Sequence, residues 1–269
     1  MIDGVDVIIV SYDTRDDLLR CLRSLLEPPP AGLATVFVVD NASSDGSVAA
    51  VRAAWPAVEV VALDRNVGFA AANNVALRRA RAPFALLLNS DTIVTAGAIE
   101  MLVARLTATG AVAAGPRMVD GSGRPEVSFG PMLTPWGEIV QRRRVRLARR
   151  GTAAARRTVA DLVSREREVD WVSGACLLVR REAALAAGLR DERYFMYEED
   201  VDFCAALRAR GGRILFTPQA EIVHLRGRSM PTPSHYDRSH LAFYEKHAPH
   251  WAPFLRLWLR IRGRSVPPR

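Results

Sequence analysis

Lysine is all but missing from this 269-residue chain: Lys246 stands alone against a large complement of arginine. Such a bias is compositional, so a single arginine carries little information about chemistry. Cysteine is scarce as well. Cys21, Cys176 and Cys204 are an odd number, far apart and mostly in apolar surroundings, which excludes a disulfide framework and a thiolate metal site and leaves buried thiols as the expectation. No run approaches the roughly 20 consecutive apolar residues of a membrane span. The N-terminus opens on a strand-like run without a basic-then-apolar leader, so a cytoplasmic location is expected. Internal repeats and low-complexity tracts are absent too.

Positive charge is plentiful but confined. The net charge of +8 resembles a nucleic-acid signal until it is localised: residues 142–157 hold eight arginines and residues 256–269 hold five, neither with an acid. Those two segments exceed the net charge of the whole chain, so the remainder is acidic and nucleic acid is not an expected partner.

Apolar sequence is abundant at 49% of residues, enough for the core of one α/β domain with decorations. Val5 to Val10, Val36 to Val39 and Phe84 to Leu88 are β-rich runs that end in Ser11-Tyr12-Asp13, Asp40-Asn41 and Asn89-Ser90-Asp91. Strands apolar on both faces belong in a parallel sheet covered by helices, whose ligands bind beyond the carboxyl ends of the strands. The three polar ends are therefore expected to line one pocket. Helical spacing between the runs, as at Leu18, Leu19, Leu22, Leu25 and Leu26, gives strand–helix alternation to about Thr107 and a mostly parallel central sheet flanked by helices. Beyond Pro116 the rhythm changes. Asp120-Gly121-Ser122-Gly123 reads as a hairpin tip, residues 141–167 as a basic insertion that is either helix or loop, and a second ordered half starts at Asp170.

Four segments carry chemistry. In Asp40-Asn41-Ala42-Ser43-Ser44-Asp45-Gly46-Ser47, the residues from Ser44 onward serve as a helix cap, whereas a carboxylate fixed at a strand end, Asp40, can accept from the imide N–H of a pyrimidine. Asn66-Val67-Gly68-Phe69, followed by Asn73-Asn74, places small residues where a helix approaches the sheet or a ligand. At Asn89-Ser90-Asp91 a hard cation finds carboxylate oxygen, with His224 at the end of a later strand as a second ligand, although both residue types also have structural uses as cap and core. Glu198-Glu199-Asp200-Val201-Asp202 opens a helix; the helix dipole accounts for one or two acids, but four within five residues point to a functional carboxylate and candidate general base.

Together with Val10-Ser11-Tyr12, Trp171-Val172-Ser173-Gly174-Ala175 and Phe195-Met196-Tyr197, these motifs resemble, in order and spacing from about Val5 to Lys246, glycosyltransferase family 2, the inverting GT-A-fold transferases, and within it the bacterial rhamnosyltransferase-like branch. The resemblance implies a nucleotide-sugar site built from Ser11, Tyr12, Asp40, Asn66, Gly68, Asn73, Ser90 and Asp91. It implies an acceptor side at Trp171 and Gly174, and a Mg²⁺ or Mn²⁺ ion on Asp91 and His224. The family's D-x-D motif has Asn89 at its first position here, one charge fewer. The family's base lies in an Glu-Asp pair that maps to Glu199 and Asp200, with Asp200 favoured. The expected organisation is then a GT-A domain over 1–230, split at 116 into nucleotide-binding and acceptor halves, and a C-terminal helical, basic tail over 231–269. The expected donor is a dTDP- or UDP-sugar and the acceptor a glycan or polyprenyl-linked saccharide.

Two other classes fit less of the sequence. A sugar-phosphate nucleotidylyltransferase requires a Gly-rich loop with a basic residue after the first strand, which Ser11-Tyr12-Asp13-Thr14 does not offer. A non-catalytic binder of membranes or polyanions explains the arginines and leaves the acidic cluster without a purpose. An anionic membrane surface is nonetheless an expected partner: Trp251, Phe254, Leu255, Trp258 and Ile261 fall on one helical stripe, with Arg256 and Arg260 on another face. The competing expectation is that this stripe packs on the core.

Overall fold

The computed structural model describes residues 4–150, 152–225 and 233–264. The boundary expected at 230 and the last C-terminal arginine, Arg269, lie outside these residues.

Val5–Ser11 (β1), Arg15–Leu26 (α1), Leu33–Asp40 (β2), Ser47–Ala54 (α2), Glu59–Ala62 (β3), Phe69–Arg79 (α3) and Phe84–Asn89 (β4) alternate as their periodicity requires. Thr92–Val94 (β5), Ala98–Thr109 (α4), Ala113–Val119 (β6), Pro125–Glu126 (β7) and Phe129–Gly130 (β8) follow. The basic insertion is helical: Pro135–Arg149 (α5) is capped by the Thr134 hydroxyl, which accepts from Gly137 N–H, and Ala153–Leu162 (α6) by Thr152. Arg167–Val169 (β9), Trp171–Val172 (β10), Cys176–Arg180 (β11) and Arg181–Ala186 (α7) lead to Glu199–Arg208 (α8), the acidic helix. Ile214–His224 (β12), Pro233–His247 (α9) and Ala252–Ile261 (α10) complete the chain.

The main sheet has the order β3-β2-β1-β4-β11-β6-β12-β5, with β7 on β6 and β9 on β12. Its first four strands are parallel, and so are β6 and β12; β11 runs antiparallel between β4 and β6. The parallel expectation thus describes the first half, while the second half is mixed. Polar strand ends come into line because register fixes them: Ser11 lies opposite Asp40, Val10 opposite Asn89, and Asn89 N–H donates to Ala175 O at 2.9 Å. The two segments expected near 213–216 and 220–224 are one strand, β12, whose register on β6 slips between Thr217 and Glu221. That slip ends with His224 opposite Thr92, beside Asp91.

Burial follows the sequence pattern. One apolar layer packs Leu18, Leu22 and Leu25 of α1 and Leu102 and Leu106 of α4 on one face of the sheet, and another packs Leu77 of α3 and Phe203 and Leu207 of α8 on the other. All three cysteines are buried and free. Asp6, an acid inside β1, is also buried, and its carboxylate accepts N–H bonds from Thr35, Arg81 and Ala82 at 3.1, 2.6 and 2.8 Å, which satisfies it structurally.

A third cluster, including Tyr194, Val201, Leu241, Phe243, Tyr244 and Ala252, binds α9 and α10 to the loop before α8. Within α10 the inward residues are Ala252, Leu255 and Leu259, while Trp251, Phe254, Leu257, Trp258 and Ile261 are exposed. The apolar stripe expected from the sequence therefore faces out, apart from Leu255, and Arg256 is taken by an ion pair with Glu245.

An ionic bridge joins α5, α8 and α9. His240 Nδ1 hydrogen-bonds Glu198 Oε1 at 3.0 Å, and its Nε2 lies 3.0 Å from Glu138 Oε1, out of line for a hydrogen bond but at ion-pair range. Burial alone pulls the imidazole down, yet the two carboxylates push it from 6.5 up to about 9, a shift equivalent to roughly 3 kcal/mol. Because the folded value is raised, this stabilisation is complete below the unfolded value and is lost as pH rises through the folded one. The melting temperature is expected to decline by several degrees between about pH 6.5 and pH 9. The slope should be shallower in His240→Gln, with the remainder coming from His224, which carboxylates also push up to about 9, and calorimetry across that window checks it; equal slopes in both proteins would assign the bridge no net stability.

Candidate active site

The cleft is built from strand ends. Asp40 is buried at the end of β2; its Oδ2 accepts from Ser43 N–H at 3.0 Å, and its Oδ1 is buried with no hydrogen-bond partner among the described residues. A dehydrated carboxylate oxygen without a donor is costly unless a ligand supplies one. Ser11, Thr14 and Ser90 form a hydroxyl chain, 3.0 Å from Ser11 to Thr14 and 2.9 Å from Thr14 to Ser90, that ties β1 to the end of β4. Tyr12 is half exposed at 50% and free to lie over a ligand.

Two of the expected nucleotide residues take part in local hydrogen bonds of the loop and helix. Asn66 Oδ1 accepts from Asn41 Nδ2 at 2.8 Å and from Gly68 N–H at 3.0 Å, and the Asn73 amide donates to Phe69 O at 2.8 Å within α3. Gly68 is required for closeness: at φ 87°, a Cβ there would sit 2.7 Å from the Phe195 carbonyl, which in turn accepts from Phe69 N–H at 2.7 Å. The nucleotide-side loop and the segment leading into α8 thus touch backbone to backbone.

Asp91 and His224 meet as expected. His224 Nε2 is 3.4 Å from Asp91 Oδ1, while Nδ1 faces Glu126 Oε2 at 3.3 Å. Two cis ligands of an octahedral Mg²⁺ or Mn²⁺, each about 2.1 Å from the ion, stand about 3 Å apart. The pair therefore fits one such ion, with Glu126 orienting the imidazole from behind. No cluster of three or more metal-binding side chains occurs among the described residues, which leaves the remaining positions for phosphate oxygens and water. Burial lowers the His224 value, but Asp91 and Glu126 outweigh it and push the ring up to about 9, so a cation competes with a proton for Nε2.

At the head of α8 the acidic cluster is resolved into individual environments. Glu198 meets His240; Asp202 meets Lys246 Nζ at 2.8 Å and His247 Nε2 at 2.6 Å; Glu199 is 3.7 Å from Arg190 Nη1. Asp200 differs. Half-buried, it is held by neutral donors, Gly174 N–H to Oδ2 and Val201 N–H to Oδ1, both at 2.8 Å. A Cβ on Gly174 would lie 3.2 Å from the Asp200 Cβ and 3.1 Å from Arg190 Nη2, so this glycine serves as a backbone donor at close quarters. Trp171, also expected on the acceptor side, commits its indole N–H to Pro131 O at 2.8 Å and packs under that loop. Burial and the neighbouring Asp200 charge push Glu199 up to about 8, with Arg190 acting against them. Tyr197 and Glu198, at φ 71° and 65°, hold this turn in the left-handed region, strain of the kind that clusters at functional sites.

Sequence reasoning missed Glu126, Glu138, Arg190 and His240. A glutamate in a hairpin or one arginine among many carries no local signal, and only the fold brings them to the site.

A mixed sheet with polar strand ends, flanked by helices and faced by the acidic start of α8, is the architecture of the GT-A glycosyltransferases. The chain belongs to the family described as glycosyltransferase like family 2, whose model matches residues 3–248. It is similar to the N-acetylglucosaminyl-diphospho-decaprenol L-rhamnosyltransferase of Mycobacterium tuberculosis, at 30% identity over 97% of this chain and 90% of the relative. The O-antigen biosynthesis protein RfbC of Myxococcus xanthus is 27% identical over 95% of this chain but only 19% of its own length. Among solved structures, GalNAc-T7 with UDP, GalNAc and Mn²⁺ superposes with TM-score 0.68 at 17% identity, over 99% of this chain, which spans about half (52%) of that protein. A mannosyltransferase from Pyrobaculum calidifontis, solved with GDP-Man and Mn²⁺, gives 0.61 at 19% identity over 95% of this chain and 68% of its own.

The geometry at Asp91 generates a binding prediction. Titration calorimetry of Mn²⁺ in the presence of a nucleoside diphosphate should show Asp91→Ala and His224→Ala losing most of the cation-dependent affinity, and Glu126→Gln losing about 10-fold or more. Unchanged affinity in the first two variants would place the ion elsewhere.

Proposed function

We propose that this transferase moves a sugar, with rhamnose the leading candidate, from a dTDP- or UDP-sugar to a hydroxyl of a glycan or polyprenyl-linked acceptor, with inversion, as a step in cell-surface polysaccharide synthesis. The observation that carries this reading is Asp200, the one acid of the α8 cluster with no cation partner among the described residues, anchored by two backbone N–H groups and half open to the cleft. Its carboxylate takes the proton of the acceptor hydroxyl as that oxygen attacks the anomeric carbon. The bond from that carbon to the diphosphate oxygen breaks on the opposite face, and a single displacement inverts the centre. Asp40 Oδ1 receives the imide N–H of the base, and Tyr12 covers the ring. Asp91 and His224 would hold a Mg²⁺ or Mn²⁺ ion, which when bound would stabilise the charge of the departing diphosphate. The rhamnosyl preference and the lipid-linked acceptor are supported by the mycobacterial relative, whose name states both.

The site of action is the inner face of an anionic membrane, reached peripherally. No described helix is long and apolar enough to cross a bilayer. Instead α10 exposes Trp251, Phe254, Trp258 and Ile261 beside the exposed Arg260 and Arg262, and α5 exposes Trp136 and Ile139 among Arg142, Arg143 and Arg146. Aromatic and aliphatic groups beside guanidinium groups match the headgroup layer of an anionic bilayer, where each basic residue contributes about 1 kcal/mol.

Asp200→Asn should retain nucleotide affinity and lose transfer by ~10²- to 10⁴-fold. The measurement is turnover with a panel of dTDP- and UDP-sugars and a polyprenyl-diphosphate-linked N-acetylglucosamine acceptor; equal rates for variant and wild type would remove Asp200 from the role. For the membrane, the double substitution Trp258→Ser with Ile261→Ser should reduce co-sedimentation with phosphatidylglycerol vesicles while leaving turnover of a water-soluble acceptor intact. Equal sedimentation of both proteins with anionic and neutral vesicles would sink the peripheral reading.

A further inference from the structure

Arg190 is an unusual side chain to find in the middle of a protein. It is 1% exposed, and none of its three guanidinium nitrogens has a hydrogen-bond partner among the described residues. Desolvating a guanidinium without hydrogen bonds is expensive, so its surroundings must return something. Two of them are aromatic faces: Phe69, the first residue of α3, lies 5.3 Å from the guanidinium carbon, and Phe203 of α8 lies 5.8 Å away. The third is Glu199, 3.7 Å from Nη1, whose own Oε2 is buried and unpartnered. The backbone of Arg190 is clamped from α3, where Asn74 Oδ1 accepts its N–H at 3.0 Å and Asn74 Nδ2 donates to its carbonyl at 2.8 Å. The cation is therefore fixed where the nucleotide-side helix, the Gly174 loop and the first turn of α8 converge.

We propose that Arg190 is a positioning residue for transfer: a buried counter-ion that favours the carboxylate form of Glu199, whose charge beside Asp200, itself anchored on Gly174 and Val201 N–H, promotes uptake of the acceptor proton by Asp200. This rests on the reading of Asp200 as the base. The charged and titratable groups facing Glu199 are Asp200 and Glu198 on its own helix, Tyr197 ahead of it and Arg190 across from it, with Cys204 beneath near Asp200 and Arg190. Arg190 is the only cation of that set. Without it, burial and the Asp200 charge hold the proton on Glu199 to higher pH. A neutral Glu199 removes the like charge whose repulsion is relieved when Asp200 takes the acceptor proton.

The test is the pH dependence of kcat and of donor KM for wild type, Arg190→Lys, Arg190→Met, Glu199→Gln, the double substitution Arg190→Met with Glu199→Gln, and Asp200→Asn. In the wild type kcat should climb as Glu199 loses its proton near the value of about 8 set by its surroundings. Arg190→Met should move that limb up by about one pH unit or more, making it about tenfold slower near pH 7 with donor KM within about twofold, and the deficit should close as pH is raised. Arg190→Lys, which keeps the charge, should hold the limb near its wild-type position. With Glu199→Gln the limb should vanish, and adding Arg190→Met to it should no longer shift the profile. A packing role for Arg190 predicts a deficit equal at every pH, and that result overturns the proposal. Should Arg190→Met not fold, the double substitution, which removes both charges, is compared with Glu199→Gln alone: coincident profiles support the proposal and a displaced limb overturns it. An active Asp200→Asn would instead defeat the base assignment itself, and the proposal with it, whereas an inactive Asp200→Asn with an unshifted Arg190→Met profile defeats the proposal alone.

Discussion

Four carboxylates lie within the first turn of one partly dehydrated helix, and everything else in the site is arranged around their mutual repulsion. A helix N-terminus favours acids by about 1 kcal/mol at most per group, too little to hold four together where the local dielectric is low. The molecule supplies separate partners from separate elements: His240, Lys246 and His247 from α9, and Arg190 from the loop after α7. Among the described residues, only Asp200 is left to neutral donors. A carboxylate restrained by two N–H groups keeps its geometry without a charged partner, and that difference sets Asp200 apart from the other three acids.

The sheet meets the same constraint from the other side. Parallel strands β1, β2 and β4 deliver Ser11, Asp40 and Asn89 to one edge, and β11, entering antiparallel beside β4, brings the Gly174 loop to that edge as well. Gly68 and Gly174 are the close approaches on which this depends. A side chain at the first would strike the Phe195 carbonyl and at the second would crowd Arg190 and Asp200, so the loop before α3 and the segments around α8 are joined with no room for adjustment. The slip in β12 serves the cation site in the same way, since it sets His224 against Asp91.

The last two helices have a double allegiance. Their inner faces complete the third apolar cluster and carry the cations that quiet Glu198 and Asp202, while the outer face of α10 is apolar and aromatic beside exposed arginines. The exposed apolar face and the electrostatic state of the α8 turn are thus properties of one contiguous piece of chain, α9 to α10.

The sequence by itself determined the strand–helix alternation, the polar strand ends, Asp40 and Asp91 among them, and the acidic helix start. These are local: periodicity, burial of apolar runs and the chemistry of short motifs are written in neighbouring residues. Tertiary structure decided the antiparallel entry of β11, the fusion of two expected strands into β12, the loop hydrogen bonds of Asn66 and Asn73 and the outward face of α10. It also decided which of four adjacent acids stays uncompensated. Glu126, Glu138, Arg190 and His240 act on the site across 9 to 106 residues of chain, as from Glu199 back to Arg190 or from Tyr244 to Glu138. An ion pair at such separation has no sequence period, and in a chain this rich in arginine no single guanidinium announces its partner. Charge compensation is a property of where side chains end up, and only the folded packing sets that.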